Sequence, residues 1–176
     1  MFKKLHYFYI AWALLFYSCD KPPLEFYDGM GKRPIYIALD ELKNIKSLPP
    51  EEITASGTIF LKGNFFFILE QRKGIHVFDI SDSLNTVNFV FLNIPAITDF
   101  TISGQYLYAD SWTDLVTIDI SDLQQIKEVG RSENVLNPVL YPLLYNGIFE
   151  CVDASKGAVI DWEDAQLTDA KCITSN

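Results

Sequence analysis

One hexapeptide occurs in two versions, Val77-Phe78-Asp79-Ile80-Ser81-Asp82 and, 40 residues on, Thr117-Ile118-Asp119-Ile120-Ser121-Asp122. Each follows a glycine turn: Lys62-Gly63-Asn64-Phe65-Phe66-Phe67 precedes the first, and Ser103-Gly104-Gln105-Tyr106-Leu107-Tyr108 the second. A fainter third copy begins Asn146-Gly147-Ile148-Phe149 and ends Ala158-Val159-Ile160-Asp161-Trp162, so that Asp79, Asp119 and Asp161 stand 40 and then 42 residues apart. A fixed period near 40 constrains a chain strongly. Each period must be one supersecondary unit that buries its apolar faces against the next.

Within a period the residues read as strand, glycine turn, strand, polar loop, strand. Ile59-Phe60-Leu61 leads into the first turn, where Gly63 supplies the positive φ that a tight hairpin needs. Ile75 to Ile80 is nearly all apolar, as suits a strand covered on both faces. A fourth strand is expected over Val87 to Leu92, before Pro95. Four short strands per ~40 residues describe a propeller blade. The expected fold is therefore all-β: an incomplete β-propeller-like array of two clear blades and one partial one. Helix is expected only as a capped turn or two at Asp40–Ile45, stopped by Pro49-Pro50.

Ahead of the array, Lys3 and Lys4 precede an apolar run from Leu5 to Tyr17, which closes on Ser18-Cys19. A charged start, a short apolar stretch and a small residue are the parts of a secretory signal. The run falls well short of the ~20 residues a helix needs to cross a bilayer. The Ser-Cys junction resembles the bacterial lipobox, whose cysteine is lipidated and becomes the first mature residue. The expected organisation is a signal peptide at 1–18, a lipidated Cys19 with its tether at 19–33, and a repeat domain at 34–176. Pro22 and Pro23 exclude helix from that tether. The expected address is the bacterial outer membrane, lipid-anchored, with the periplasmic and surface faces both open.

Removal of residues 1–18 leaves 12 basic against 23 acidic residues, a net charge of −11. Phosphate binding needs clustered Lys and Arg, so nucleic acid is an unsuitable partner. Electrostatic docking on anionic lipid is equally disfavoured, which leaves the membrane to be reached through the lipid anchor. With Cys19 committed to lipid, Cys151 and Cys172 either pair across some 20 residues or lie free. The chain has no CxxC and no Cys/His cluster, and zinc needs such a set. No metal or cofactor is expected.

Few residues remain for chemistry. His76 stands where the second repeat has Val116 and the third Ala158, an aligned apolar position that argues for packing. Asp79, Asp82, Asp119 and Asp122 recur once per unit, which fits turn-capping better than a single active site. Asp110 and Asp114, with Asp99 nearby, could face a ligand, but their spacing lacks the ligand ladder of a calcium loop. Trp112, in the polar segment Ser-Trp-Thr-Asp, either covers the edge of a neighbouring unit or offers a stacking platform for a ring. The nucleophile-base arrangements that hydrolases use are missing, so the chain is read as non-catalytic.

The two hexapeptides, each behind its glycine-turn hairpin, resemble the LVIVD repeat of bacterial β-propeller-like surface proteins. The stretch Tyr106-Leu107-Tyr108-Ala109-Asp110-Ser111 into Asp114-Leu115-Val116 is similar to lipoproteins of that group in Bacteroidetes-type bacteria. The resemblance spans about residues 34 to 172 and implies fold and location, without an agreed chemistry. It also implies a longer array able to close a ring, so a truncated copy, or closure by self-association, is expected here. The functional expectation is an envelope-anchored interaction or scaffold lipoprotein, partnered by itself or by another envelope protein. Two alternatives are a glycan-binding or glycan-processing surface lipoprotein and a fragment without function.

Overall fold

The computed structural model describes residues 26–174, so the signal peptide, Cys19 and the expected tether as far as residue 25 lie outside the described residues. Among the described residues, thirteen strands and two short 3-10 turns make up the regular structure. In chain order the strands are β1 (Tyr27–Ile37), β2 (Lys46–Leu48), β3 (Ser56–Lys62), β4 (Phe65–Glu70), β5 (Gly74–Asp79), β6 (Val87–Asn93) and β7 (Phe100–Ser103). There follow β8 (Tyr106–Ser111), β9 (Asp114–Asp119), β10 (Lys127–Ser132), β11 (Gly147–Phe149), β12 (Ala158–Ala170) and β13 (Cys172–Thr174). They form three sheets, none closed into a barrel, consistent with an incomplete propeller-like arrangement.

The first two sheets are the first two repeats. β3 to β6 form an antiparallel meander with β2 added outside β6, and β7 to β10 form a second meander. Gly63 and Gly104, at φ 56° and 57°, make the equivalent hairpin turns. Phe65 faces Asp79 across one ladder and Tyr106 faces Asp119 across the other, so the repeats share one register. The main core lies between these sheets, where Leu69, Ile75, Val77, Leu92, Leu107, Val116 and Ile118 are essentially sealed from water. That burial, at about 1.5–3 kcal/mol per large aliphatic side chain, is the main force holding the repeats together.

The third sheet corrects the expectation of a third copy built like the others. β11 and β12, the two strands of the faint repeat, are not neighbours; β1 lies between them in the order β12-β1-β11-β13. β1 pairs antiparallel with β12 from Tyr27↔Ala170 to Ile37↔Ala158 and parallel with β11 at Lys32↔Phe149. Segments from both ends of the array therefore share one sheet. β1 also begins at Tyr27, inside the stretch expected as tether, and crosses the expected boundary at residue 33. Gly31 makes the insertion possible. A Cβ there would stand 2.5 Å from the Ile148 carbonyl oxygen, so only glycine lets β11 come this close. Smaller apolar clusters, one of Leu42, Ala96 and Ala158 and one of Ala165, Leu167 and Ala170, hold this sheet in place.

Between β1 and β2 a single 3-10 turn, Glu41–Lys43, is capped by the Asp40 carboxylate, which accepts from the Glu41 amide at 3.1 Å. No α-helix occurs among the described residues.

Candidate functional site

The turns between the central strands of each repeat point the same way, toward the third sheet. Arg72 lies in the β4–β5 turn and Trp112 in the β8–β9 turn, in left-handed backbone at φ 68° and 59°. Ala96, in the connection from β6 to β7, is also left-handed at φ 61°. Backbone hydrogen bonds join these residues in series. The Trp112 amide donates to the Ala96 carbonyl at 3.4 Å, and the Ala96 amide donates to the Arg72 carbonyl at 2.9 Å. The Arg72 amide in turn donates to Ile97 at 2.7 Å. Left-handed backbone costs an L-residue about 1–2 kcal/mol, and it persists here because hydrogen bonds and packing over-determine it.

All three residues line one cleft of about 350 Å³, walled also by Val159 to Trp162 of β12, by Lys32 of β1 and by the loop 137–145. Its aromatic surfaces are Trp112, Trp162 and Tyr145. Trp162 is braced edge-on by Phe149 with ring centroids 5.5 Å apart. Trp112 is half-buried against the cluster of Leu42, Ala96 and Ala158, yet its indole N–H is buried with no acceptor. Two ion pairs supply the polar groups. Arg72 meets Asp161 at 3.1 Å, and Lys32 meets Asp164 at 2.8 Å while its ammonium lies 5.7 Å from the Tyr145 ring centre. Flat apolar faces beside fixed donors and acceptors suit a ring-bearing or amphipathic ligand or a partner's side chains.

Asp110 and Asp114 do not join Trp112 in this cleft. The Asp110 carboxylate accepts from the amides of Thr98 at 2.7 Å and Asp99 at 2.8 Å, and from the Thr98 hydroxyl. Asp114 accepts from the Asn134 amide at 2.9 Å and pairs with Arg131 at 2.8 Å. Burial pushes the Asp114 carboxyl up, but the Asn134 amide and Arg131 more than offset it and hold the group below the usual carboxylate range. Asp99 accepts from the amide of Phe100 at 2.8 Å.

The repeated aspartates are engaged with their own turns. Asp79 accepts from the Ser81 amide at 2.8 Å and Asp119 from the Ser121 amide at 2.9 Å. Asp82 accepts from the Leu84 amide at 3.0 Å and Asp122 from the Gln124 amide at 2.9 Å. Those bonds from Ser81 and Ser121 hold the Asp79 and Asp119 carboxyls below their ordinary range, and the Asn85 amide group does the same for Asp82. Cys151 and Cys172 are joined by a disulfide beside the β11–β13 ladder.

His76 is fully buried, with Nε2 2.6 Å from the Glu70 carboxylate and Nδ1 without a partner. Glu70, itself buried, also accepts from the Lys73 ammonium at 2.5 Å and from the Thr54 hydroxyl. Reading the sequence by residue type missed this cluster, and missed Arg72, Lys32 and Tyr145 in the cleft. A signal for two of them was present. Repeat alignment sets Arg72 opposite Trp112 and Glu70 opposite Asp110, and Glu70 and Asp110 each accept a threonine hydroxyl.

Among the described residues no group of three or more His, Cys, Asp or Glu is placed to hold a metal ion. The LVIVD repeat matches the chain at residues 55–86, which hold β3 to β5 of the first repeat sheet, and at residues 97–133, which hold β7 to β10 of the second. No curated protein and no solved structure matches it.

Proposed function

We propose that this LVIVD-repeat protein is a non-catalytic lipoprotein of the bacterial outer membrane, held by lipid on Cys19, whose repeats bind a partner at the inter-sheet cleft. The observation that carries the reading is the relay Trp112–Ala96–Arg72. It holds one aromatic and one cationic side chain, from equivalent turns of two repeats, against the third sheet. Strained backbone maintained by surrounding structure is a mark of ligand-binding sites. Asp110 and Asp114, the carboxylates singled out in the sequence, are engaged with loop amides and Arg131 outside the cleft. The anchor rests on Lys3, Lys4, the apolar run and Ser18-Cys19.

A photo-crosslinking amino acid at Thr98, which is exposed on the cleft wall, tests the site in cells. The expected result is a discrete adduct with another envelope protein or a second copy, absent from a control at Leu84 and lost on Trp112→Ala. Identical adducts at both positions would end the reading. For the anchor, the mass of the N-terminal peptide of the mature protein is expected to include lipid on Cys19.

A second reading, glycan binding, is favoured by the convergence of Trp112, Trp162 and Tyr145 on that cleft, since sugar rings stack on aromatic faces. Titration calorimetry against envelope and host polysaccharides would then show binding that falls at least tenfold with Trp112→Ala or Trp162→Ala. Release of new reducing ends would overturn the non-catalytic assignment.

A further inference from the structure

Between Glu133 and Glu150 the chain runs for 16 residues without a charge, in a protein of net charge −9. Most of that stretch is the loop joining β10 to β11; its residues 137–145 wall the cleft, yet several of its apolar side chains stay exposed to solvent. Leu140, Tyr141 and Leu143 are exposed, and Leu144 is fully exposed. A contiguous apolar surface of this kind marks an interaction site.

The topology of the third sheet says where the loop sits. β11 is parallel to β1, so the end of the loop and the start of β1 lie at the same end of the sheet. Packing agrees: the Ile148 side chain lies 3.8 Å from where a Cβ on Gly29 would be. β13 is antiparallel to β11 and brings exposed Ile173 opposite Ile148, while Phe26 and Met30 at the start of β1 are exposed as well. Cys19 precedes Tyr27 by eight residues, a reach of at most about 28 Å when fully extended.

The geometry points to the 134–146 loop as a second, lipid-facing contact, entering the bilayer interface next to the anchor. This rests on the lipid-anchor reading, because the lipid on Cys19 is what brings this end of the sheet to the membrane. The loop's chemistry suits that depth. Tyrosine favours the boundary between headgroups and acyl chains. Pro138 and Pro142 remove two backbone donors that would otherwise be desolvated. Irregular backbone does not enter the hydrocarbon core, so contact stops at the headgroup boundary. A lipid anchor and a second interfacial contact together hold a protein to a membrane more firmly than either alone. No helix among the described residues is long and apolar enough to cross the membrane.

The test uses the processed full chain reconstituted into phosphatidylethanolamine-rich vesicles, with a polarity-sensitive fluorophore on Leu144→Cys or, as control, on Leu84→Cys. Leu84 is exposed on the β5–β6 turn, at the opposite end of β5 from the cleft. Quenching by doxyl-labelled lipid is expected to be several-fold stronger at position 144, with a blue-shifted emission. Equal quenching at both positions overturns the assignment, as does a position-144 probe shielded in a discrete dimer without lipid quenching. Failure of the anchor shows separately, as an N-terminal peptide without lipid mass. Vesicles are then added to the unlipidated chain: quenching at position 144 alone retains the loop contact, and its absence overturns it.

Discussion

Arg72 and Trp112 stand 40 residues apart at the same turn of successive repeats, both left-handed, and their side chains line one cleft. A repeat normally multiplies one structural solution. Here the same turn presents a cation in one copy and an aromatic in the other, and the cleft depends on that difference. The scaffold is periodic, and the contact surface is not.

Trp112 yields the first prediction. Its indole N–H is buried without an acceptor, and such a donor costs about 1–3 kcal/mol. Trp112→Phe removes the donor and keeps an aromatic face, so its stability is expected within about 1 kcal/mol of the parent. Trp112→Ala also loses the packing on Leu42 and Ala158 and is expected to cost about 2 kcal/mol, half or less of a fully buried aromatic truncation. Urea denaturation of the three proteins measures both differences, and equal losses from both substitutions would contradict the role given to the N–H.

Glu70 sets an acid limit. Burial pushes its carboxyl up, but Lys73, Thr54 and His76 together hold it at about 2, against an ordinary value of 4.5. A depressed folded value means the ionised form stabilises the fold above pH 4.5, and that contribution disappears as pH falls through 4.5 toward 2. Asp79, Asp82 and Asp119 shift in the same direction and add to the loss at the low end. Chemical denaturation at a series of pH values is expected to show stability falling across this window. Glu70→Gln is expected to flatten the dependence and to lower stability at neutral pH, since Lys73 loses its ionic partner.

Gly31 tests the third sheet. Gly31→Ala places a methyl group 2.5 Å from the Ile148 carbonyl oxygen, and backbone cannot move aside as a flexible side chain can. The expected cost is about 1–3 kcal/mol, as for other overpacking changes. Hydrogen exchange is expected to rise first in β1, β11 and β13, while β4, β5, β8 and β9 stay protected by the larger core. Uniform loss of protection would show that the three sheets unfold as one unit.

The disulfide closes a loop over a separation of 21 residues. By loop-closure entropy its reduction is expected to cost about 3 kcal/mol. Paired Cys151→Ser and Cys172→Ser substitution is expected to match the reduced protein in thermal midpoint, several degrees below the oxidised one. An unchanged midpoint would mean that the β11–β13 ladder holds without the bridge.

How much of this was legible in the sequence depended on distance along the chain. The hairpins at Gly63 and Gly104 and the strands around Asp79 and Asp119 were legible because their signals lie within one 40-residue period. β1 was not. Gly29, Gly31 and Pro34 are poor strand formers, and the ladder that makes Tyr27–Ile37 a strand comes from residues more than 120 positions away. The third unit misled for the same reason, since its two strands are joined through β1 rather than to each other. In the cleft, Trp112 is legible as a loop aromatic, but the nearness of Asp110 and Asp114 in sequence does not bring them to the same site. The amides of Thr98 and Asp99 hold the Asp110 carboxylate elsewhere, and the Asn134 amide with Arg131 does the same for Asp114. Glu70 escaped notice because its role depends on His76 across the β4–β5 hairpin.

The position of β1 also has a consequence for the order in which the molecule is made. Tyr27 meets Ala170 across a separation of 143 residues, whereas both repeat sheets can assemble once the chain has been synthesised to Ser132. Contacts so distant must wait for the intervening chain to collapse, and they form late. β1, the first of the described strands to be synthesised, thus waits longest for its neighbours. Until then, its eleven residues need protection from other chains, and any chaperone that assists this protein must stay on that segment until β12 has emerged.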